Sequence, residues 1–362
     1  MNEKLQVAFV GCGTMAAHYI SVYRDLPFVR VACCVDSNLE SAHRAAEALA
    51  THSPTVTTDF SLALAPETDV VIINTPNSAH RPQAVAAIQA GKHVLLQKPV
   101  AAKLEDGEAI EHAAARSTRA VGVYMSYFDQ PLIHDVRDII RTGHLGNFVH
   151  GYARLMHKGG MMWSTEALGG ARTWRGSLAD TGGGCFIQLA VHYIHIFEWA
   201  TGARVCRVTA FARNLHCRGL EGEDLATALL ELDTGATVTL DTAWCTHGEE
   251  LSAFGTEGHF EYRNNRWLSL ASTRGPFHGR VVQYCGGTVP AFGGPWGEEQ
   301  TMEIVPLPFG DASNPLNQHR AFLEAARDRR PAPVSIASAV HDLAVVTAVY
   351  ESAATGRAME IK

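Results

Sequence analysis

The chain has 362 residues, of which 46% are hydrophobic and 19% charged, with a formal net charge of −7. That composition excludes a disordered chain, a collagen and a coiled coil, and the length asks for about two domains. An acidic balance without a basic block argues against nucleic acid, and no apolar run approaches the roughly 20 residues of a membrane helix, so no membrane partner is expected.

The N-terminus leads directly into a strand-like run and lacks the apolar core of a signal peptide. The cysteines form no CxxC pair and read as free thiols in a reducing cytoplasm. Residues 5–10 are apolar and β-prone. Gly11-Cys12-Gly13-Thr14-Met15-Ala16 follows, then a helical pattern through Leu26 and a second apolar run, Val29 to Val35, closing at Asp36. Strand, glycine turn, helix, strand and acid in that order indicate a dinucleotide site. Glycines permit the tight turn and let backbone N–H groups approach a pyrophosphate, and the helix N-terminus adds positive partial charge. Gly11, Gly13, Thr14 and Met15 are therefore candidate cofactor contacts, while Ala16 is small enough for close helix–strand packing. The bland alternative is a tight turn that binds nothing. Asp36 suits an adenosine ribose diol and repels a 2′-phosphate, and Ser37-Asn38-Leu39 supplies no cation for one. NAD is thus favoured over NADP; Arg44, farther along the next helix, is the feature on the side of NADP.

The alternation continues. Asp69 to Ile73 reads as a buried parallel strand, and Asn74-Thr75-Pro76-Asn77-Ser78-Ala79-His80 as a loop at its C-terminal end. A helix over 80–90 stops at Gly91, a strand from His93 to Leu96 ends in Gln97-Lys98-Pro99, and a helix over 104–118 precedes a strand from Ala120 to Met125. Doubly wound sheets bind ligands at strand C-termini. Asn74, Thr75, Pro76, Asn77, His80, Gln97 and Lys98 join the cofactor candidates on that ground.

The segments GCGTMA, TPNSAH and QKP in combination resemble the Gfo/Idh/MocA family, named for glucose-fructose oxidoreductase, inositol dehydrogenase and rhizopine catabolism. Thr173-Trp174-Arg175, Gly182-Gly183-Gly184, His192 and the stretch from Asn317-Gln318-His319 to Glu324 extend the resemblance over essentially the whole chain. It implies a Rossmann domain followed by a larger, mostly antiparallel open sheet that often packs against another subunit. It also implies NAD(P)-dependent chemistry on a secondary alcohol of a sugar or cyclitol. The family motif EKP carries a lysine beside nicotinamide and substrate; Lys98 matches it, Gln97 replaces the glutamate, and the peptide before the matching proline is often cis. The expected architecture is α/β plus α+β, with a Rossmann domain over 1–125 and a substrate-binding and oligomerisation domain over 126–362.

After Met125 the periodicity changes. A helix over 131–142 ends at Gly143, and alternating strands follow at Val149–Met156, Val205–Ala212, Leu225–Leu232 and Ala236–Trp244, with further runs near 250–263 and a helix over 337–353. Strands without intervening helices indicate an antiparallel sheet. Its open, apolar face points to a homodimer or homotetramer. Three glycines, 182–184, precede a helix on which Gln188, His192, His195 and Trp199 share one face. Apolar residues cover much of the remainder, so the helix is expected to be buried, with its polar stripe facing partners, water or a ligand. The bland alternative is a satisfied core network. The family commonly has an aspartate at the position of Gln188 and often another at that of His195. Glutamine orients a hydroxyl but exchanges no proton, which leaves His192, with an ordinary pKa of about 6.5, as the candidate proton carrier. Tyr127 stands where many relatives carry an arginine before the phenylalanine, so the site loses a cation. Tyr127, His157, Trp163, Trp174, Arg175 and His195 are candidate sugar contacts: aromatic faces suit pyranose CH faces, and Arg175 and His157 can donate to hydroxyls.

The function expected is hydride transfer between a carbon of a sugar, glycoside, aminosugar or cyclitol and the nicotinamide. His192 moves the hydroxyl proton, Lys98 stabilises the oxygen and Gln188 places a neighbouring hydroxyl. Two other readings stand beside it: NAD-dependent glycoside cleavage or elimination through a transient keto-sugar, and a non-catalytic NAD-binding sensor. Zinc at His192, His195 and His157 would lack a carboxylate or thiolate, so no metal is expected.

Overall fold

Short buried strands alternate with helices through the first 125 residues, and the alternation builds a parallel sheet. In a computed structural model, which describes residues 4–163, 173–283, 300–307, 311 and 313–361, β1 (Leu5–Val10), α1 (Thr14–Asp25), β2 (Val29–Val35), α2 (Leu39–Ala48), β3 (Thr55–Thr57) and β4 (Val70–Ile73) come first. Then come α3 (His80–Gln89), β5 (His93–Gln97), α4 (Leu104–Ala115) and β6 (Val121–Tyr124). The strand order is β3-β2-β1-β4-β5-β6, all parallel. The order reverses between β1 and β4, and ligands of such sheets bind outside the strand C-termini at that point. β4 is buried at every position, as a strand covered on both faces must be. α1 buries Ala16, Tyr19, Ile20, Val22 and Tyr23. The spacing of three and four keeps these side chains on one stripe, and each large one contributes roughly 1.5–3 kcal/mol by leaving water.

The remaining elements are α5 (Pro131–Arg141), β7 (Phe148–Met156), α6 (Gly159–Trp163), α7 (Leu178–Thr181), α8 (Cys185–Thr201), β8 (Val205–Arg213), β9 (Leu225–Leu232) and β10 (Thr237–Ala243). They continue with β11 (Gly248–Gly255), β12 (Gly258–Arg263), β13 (Trp267–Ser272), β14 (Gln300–Glu303), α9 (Gln318–Arg327), α10 (Ile336–Thr355) and β15 (Met359–Glu360). The second sheet runs β14-β13-β12-β11-β7-β10-β9-β8-β15. Its pairs are antiparallel except β7 with β10. α8 covers one face of this sheet so closely that a Cβ at Gly151 on β7 would lie 2.5 Å from the Phe197 ring.

The chain divides into two units, Met1–Asp129 with Leu307–Leu343, and Gln130–Pro306 with Ala344–Lys362. The boundary expected at 125/126 assigned everything after it to one domain; the contacts instead return 307–343 to the nucleotide unit. The reason is α9, whose Phe322, Leu323 and Ala326 join Phe9, Tyr19, Tyr23 and Tyr124 in one core. An amphipathic helix buries its apolar face wherever a complementary surface exists, whatever the sequence separation. Among the described residues no helix is long and apolar enough to cross a membrane.

Candidate active site and cofactor site

The glycine turn lies at the switch point of the parallel sheet. Gly11 has φ +87°, and a Cβ there would come within 2.7 Å of the Asn74 carbonyl carbon, so this position must be glycine. Gly13 differs: its φ of −78° suits any residue, and an added Cβ would meet nothing within 4 Å. The protein itself has no need of a bare backbone at Gly13, whereas a pyrophosphate approaching the start of α1 has. Gly13 stands at the N-cap of that helix and makes no side-chain cap. A cleft of about 530 Å³ opens beside the turn, lined by Cys12, Gly13, Thr14, Ala17, Ser41 and Arg44 among others. The Met15 side chain is half-buried and packs against the core.

Asp36 follows β2 and accepts the Cys12 amide at 2.7 Å and the Asn38 amide at 2.8 Å. Its fixed carboxylate suits a ribose diol. Arg44 is committed to Glu40 at 2.7 Å and to the Ser41 hydroxyl at 3.0 Å. The donor set therefore fits NAD: a bare backbone for the phosphates and an acid for the ribose.

At the end of β4, Asn74 Nδ2 donates to the Gly11 carbonyl at 3.3 Å, and the Asn74 Oδ1 accepts from the Tyr19 hydroxyl. Thr75 donates to Gln83 at 2.7 Å; Pro76 is half-buried and Asn77 buried. His80 is fully buried, with Nδ1 3.1 and 3.2 Å from the Pro99 and Val100 carbonyls and Nε2 3.1 Å from the Thr75 carbonyl. Burial pulls its pKa down while the carbonyls oppose the shift. Its ring thus ties the loop after β4 to the loop after β5, and any effect on a cofactor passes through that backbone. Gln97 Oε1 accepts the Lys98 amide at 3.0 Å, Lys98 is half-buried, and Lys98–Pro99 is cis. Tyr127 is half-buried in the 3₁₀ turn Ser126–Asp129.

The second unit carries the polar stripe. α8 buries Gln188, His192 and His195 on a helix that is otherwise almost wholly apolar. The stripe ends in packing: Arg137 of α5 lies 4.5 Å over the Trp199 ring and His134 meets it edge-on at 5.3 Å. His157 follows β7 and accepts the Gly159 amide at Nδ1, 2.9 Å, which fixes its ring. Arg175 lies 4.4 Å over Trp174, and burial lowers its pKa. The side chain of Trp163 lies outside the described residues. Among those residues no group of three His, Cys, Asp or Glu side chains is placed to hold a metal.

The sequence reading missed Glu223, Tyr350 and Asp224. Glu223 caps α8: Oε2 accepts the Gly184 amide and Oε1 the Phe186 amide, both at 2.8 Å, and Oε1 also accepts the Tyr350 hydroxyl at 2.9 Å. The Tyr350 oxygen takes the Ile187 amide at 3.1 Å. A Cβ on Gly183 would strike Tyr350, and one on Gly184 would strike the Glu223 backbone. Gly183 and Gly184 are therefore bare to admit this clamp, while Gly182 ends α7 at φ +81°. Asp224 gathers the amides of Leu215, His216 and Cys217 at 2.6–2.8 Å; burial pushes its pKa up, but these donors outweigh it and the net shift is down. An adjacent acid pair just before an alternating strand was the available signal.

The sequence profile of an oxidoreductase family with an NAD-binding Rossmann fold matches residues 5–125, and that of the GFO/IDH/MocA C-terminal domain matches residues 133–261. The 1,5-anhydro-D-fructose reductase of Ensifer adhaerens is 29% identical over 300 residues, which span 82% of this chain and 81% of that protein. The levoglucosan dehydrogenase of Pseudarthrobacter phenanthrenivorans is 24% identical over 391 residues, 97% of each chain. A solved levoglucosan dehydrogenase in complex with NADH shares the fold, with a TM-score of 0.83 at 19% identity over 99% of this chain and 100% of its own. GenD2 from gentamicin A biosynthesis, in complex with NAD, gives 0.78 at 26% identity over 100% and 97%. With profiles matching in both halves and the fold shared end to end, the chain belongs to the Gfo/Idh/MocA family of NAD-binding oxidoreductases.

Proposed function

We propose that this protein interconverts a secondary alcohol and a ketone on a sugar, glycoside, aminosugar or cyclitol, with NAD as the hydride partner. The observation that carries the reading is the buried stripe of Gln188, His192 and His195 on α8, in a chain whose other unit is built to hold a dinucleotide. The anhydrofructose reductase and levoglucosan dehydrogenase among its relatives support the substrate class. When bound, NAD supplies the hydride acceptor. His192 takes the hydroxyl proton as general base, and returns it in reduction. The Lys98 ammonium donates to the same oxygen and stabilises developing negative charge. Gln188, which both donates and accepts, holds a neighbouring hydroxyl. Gly11, Gly13, Thr14, Met15 and Asp36 hold the cofactor, with Asn74, Thr75, Pro76, Asn77, His80 and Gln97 shaping the loops beside it. Tyr127, His157, Trp163, Trp174, Arg175 and His195 border the sugar.

The role assignment is tested by rate ranking. Loss of a general base costs about 10²–10⁴-fold. His192→Asn is expected to lose that much, and more than Lys98→Met, with NADH affinity unchanged in His192→Asn. The opposite ranking transfers the proton to Lys98.

A homodimer or homotetramer built on the outer face of the nine-stranded sheet is supported by Phe211 and Leu229, which are 67% and 48% exposed there. A cytoplasmic location is supported by the seven described cysteines, all free.

A further inference from the structure

A groove of about 390 Å³ lies beside the start of β6, at the end of the parallel sheet opposite the glycine turn. Ser117, Thr118 and Arg119, after α4, form one wall; Arg329, Arg330 and Ala332, after α9, form another. The walls meet because the chain after α9 lies along the outer edge of β6. Gly122 bridges to Ser335, and the Val123 amide donates to the Val334 carbonyl at 3.2 Å. A Cβ on Gly122 would fall 2.5 Å from that of Ala332. All of these residues belong to the nucleotide unit.

Three arginines and one acid, Glu111, are in the lining. Arg330 is paired with Asp328 at 3.3 Å. The Arg329 guanidinium has no ion pair or hydrogen bond among the described residues. Arg119 Nη1 lies 3.5 Å from His93 Nε2, but that nitrogen is no acceptor. His93 Nδ1 already accepts the Ala120 amide at 2.9 Å, so the neutral ring carries its proton on Nε2, donor against donor. The ring is neutral at pH 7: burial brings its pKa from 6.5 to about 4, Arg119 and Arg329 push the same way, and Asp69 opposes them. Two guanidiniums thus act on one spot without a paired anion. The backbone adds to this. α9 closes with the Arg330 amide on the Ala325 carbonyl at 2.8 Å, and Arg329, just past the cap, has φ +53°. Glycine is the usual residue there, because any side chain costs stability in this conformation. The chain keeps a guanidinium where the fold favours none.

We propose that this groove binds a small phosphomonoester, with the phosphate held between Arg119 and Arg329. Guanidinium forks match phosphate oxygens in pairs. The Ser117 hydroxyl accepts the Arg119 amide at 3.1 Å and keeps its own proton for a phosphate oxygen. Glu111 accepts from a hydroxyl of the organic part, and the volume is that of a small-molecule site.

The proposal needs neither the NAD nor the sugar assigned above. Glycerol 3-phosphate is titrated by calorimetry, at about 0.15 M chloride to screen diffuse attraction, into wild type, Arg119→Gln, Arg329→Gly and Arg330→Gln, each with and without excess NADH. The expected dissociation constant is below about 1 mM, unchanged by NADH. Loss of a charged hydrogen-bond donor predicts at least about tenfold weaker binding in Arg119→Gln and in Arg329→Gly. Arg330→Gln removes the same charge from the same rim, but from a side chain already paired, and is expected to cost less than about threefold. Arg329→Gly is expected to melt no lower than wild type, since glycine suits its backbone, so its lost binding is not lost folding. NADH affinity of the same variants reports the cofactor reading separately. No binding, displacement by NADH, sulfate binding as tightly as the phosphomonoester, or equal losses in all three variants overturns the proposal.

Discussion

Glu223 and Gly184 hold each other in place: the Glu223 carboxylate accepts the Gly184 amide at 2.8 Å, and the Glu223 backbone fills the space a Gly184 side chain would need. The first turn of the helix that carries Gln188 and His192 is thus fixed by an acid nearly forty residues away. Replacing Glu223 by glutamine keeps the size but sets an NH₂ against one of the three donors the carboxylate accepts. Leaving a buried donor unmet costs roughly 1–3 kcal/mol. Glu223→Gln is expected to destabilise the second unit by about 2 kcal/mol and to lower turnover, while NADH affinity stays at the wild-type value. Guanidinium unfolding and an NADH titration on the same samples check both halves of this expectation.

The cluster under Tyr19 makes stability depend on pH in two opposing ways. Burial lowers His319 from 6.5 to about 3, so its contribution is present above pH 6.5 and is lost as pH falls toward 3. Burial raises Asp129 from 3.8 to about 6, against the Gln318 amide and the Tyr124 hydroxyl, so its contribution is present below 3.8 and is lost as pH rises through 6. Between pH 4 and 6 the two windows overlap, and each is worth about 1.4 kcal/mol per pH unit at most. They nearly cancel in the wild type. His319→Gln, which keeps a partner for Tyr23, is expected to gain stability relative to wild type as pH falls from 6 to 4, and Asp129→Asn to lose it. Unfolding midpoints at the two pH values decide this; two variants that both track the wild type would refute the assignment.

Cofactor choice turns on one charge. In the proposed site Asp36 takes the ribose diol; its carboxylate accepts the Cys12 amide, and Arg44 is occupied by Glu40 and Ser41. Asp36→Asn removes the repulsion of a 2′-phosphate while keeping the shape. The ratio of NADPH to NADH affinity is expected to rise at least about tenfold, or 1.4 kcal/mol. Direct titration of both reduced cofactors measures it.

The outer face of the nine-stranded sheet pairs Phe211 with Thr227 and Thr209 with Leu229 across β8 and β9. Phe211 and Leu229 are diagonal neighbours in this register, and the proposed subunit contact is built on them. The wild type is expected to sediment as a dimer or tetramer, and Phe211→Lys with Leu229→Lys as a monomer.

Most of the fold was legible because its signals are local. Alternating runs, the glycine turn and Asp36 each lie within a few residues of the feature they specify. What was not legible depends on distant partners. The pattern of α9 says that the helix buries a face, but not that the face meets Tyr19 and Tyr23 some three hundred residues earlier. The glycines at 183 and 184 announce a close approach without naming Tyr350 or Glu223 as what approaches. His80 has the composition of a ligand contact, yet its two nitrogens face carbonyls of the protein itself. Trp199 shares the helical spacing of the polar stripe, and only the position of α5 reveals it as a packing residue.

The proposed activity is net oxidation of a sugar or cyclitol alcohol by NAD through Lys98 and His192. The most direct measurement incubates the protein with NAD and a panel of sugars, glycosides, aminosugars and cyclitols, reading reduced-nicotinamide absorbance and product mass together, with Lys98→Met as control. The expected result is NADH formed in step with a product two hydrogens lighter, lost in the variant. A product of cleavage or elimination with no NADH accumulating, or NADH formation that survives Lys98→Met undiminished, would contradict it.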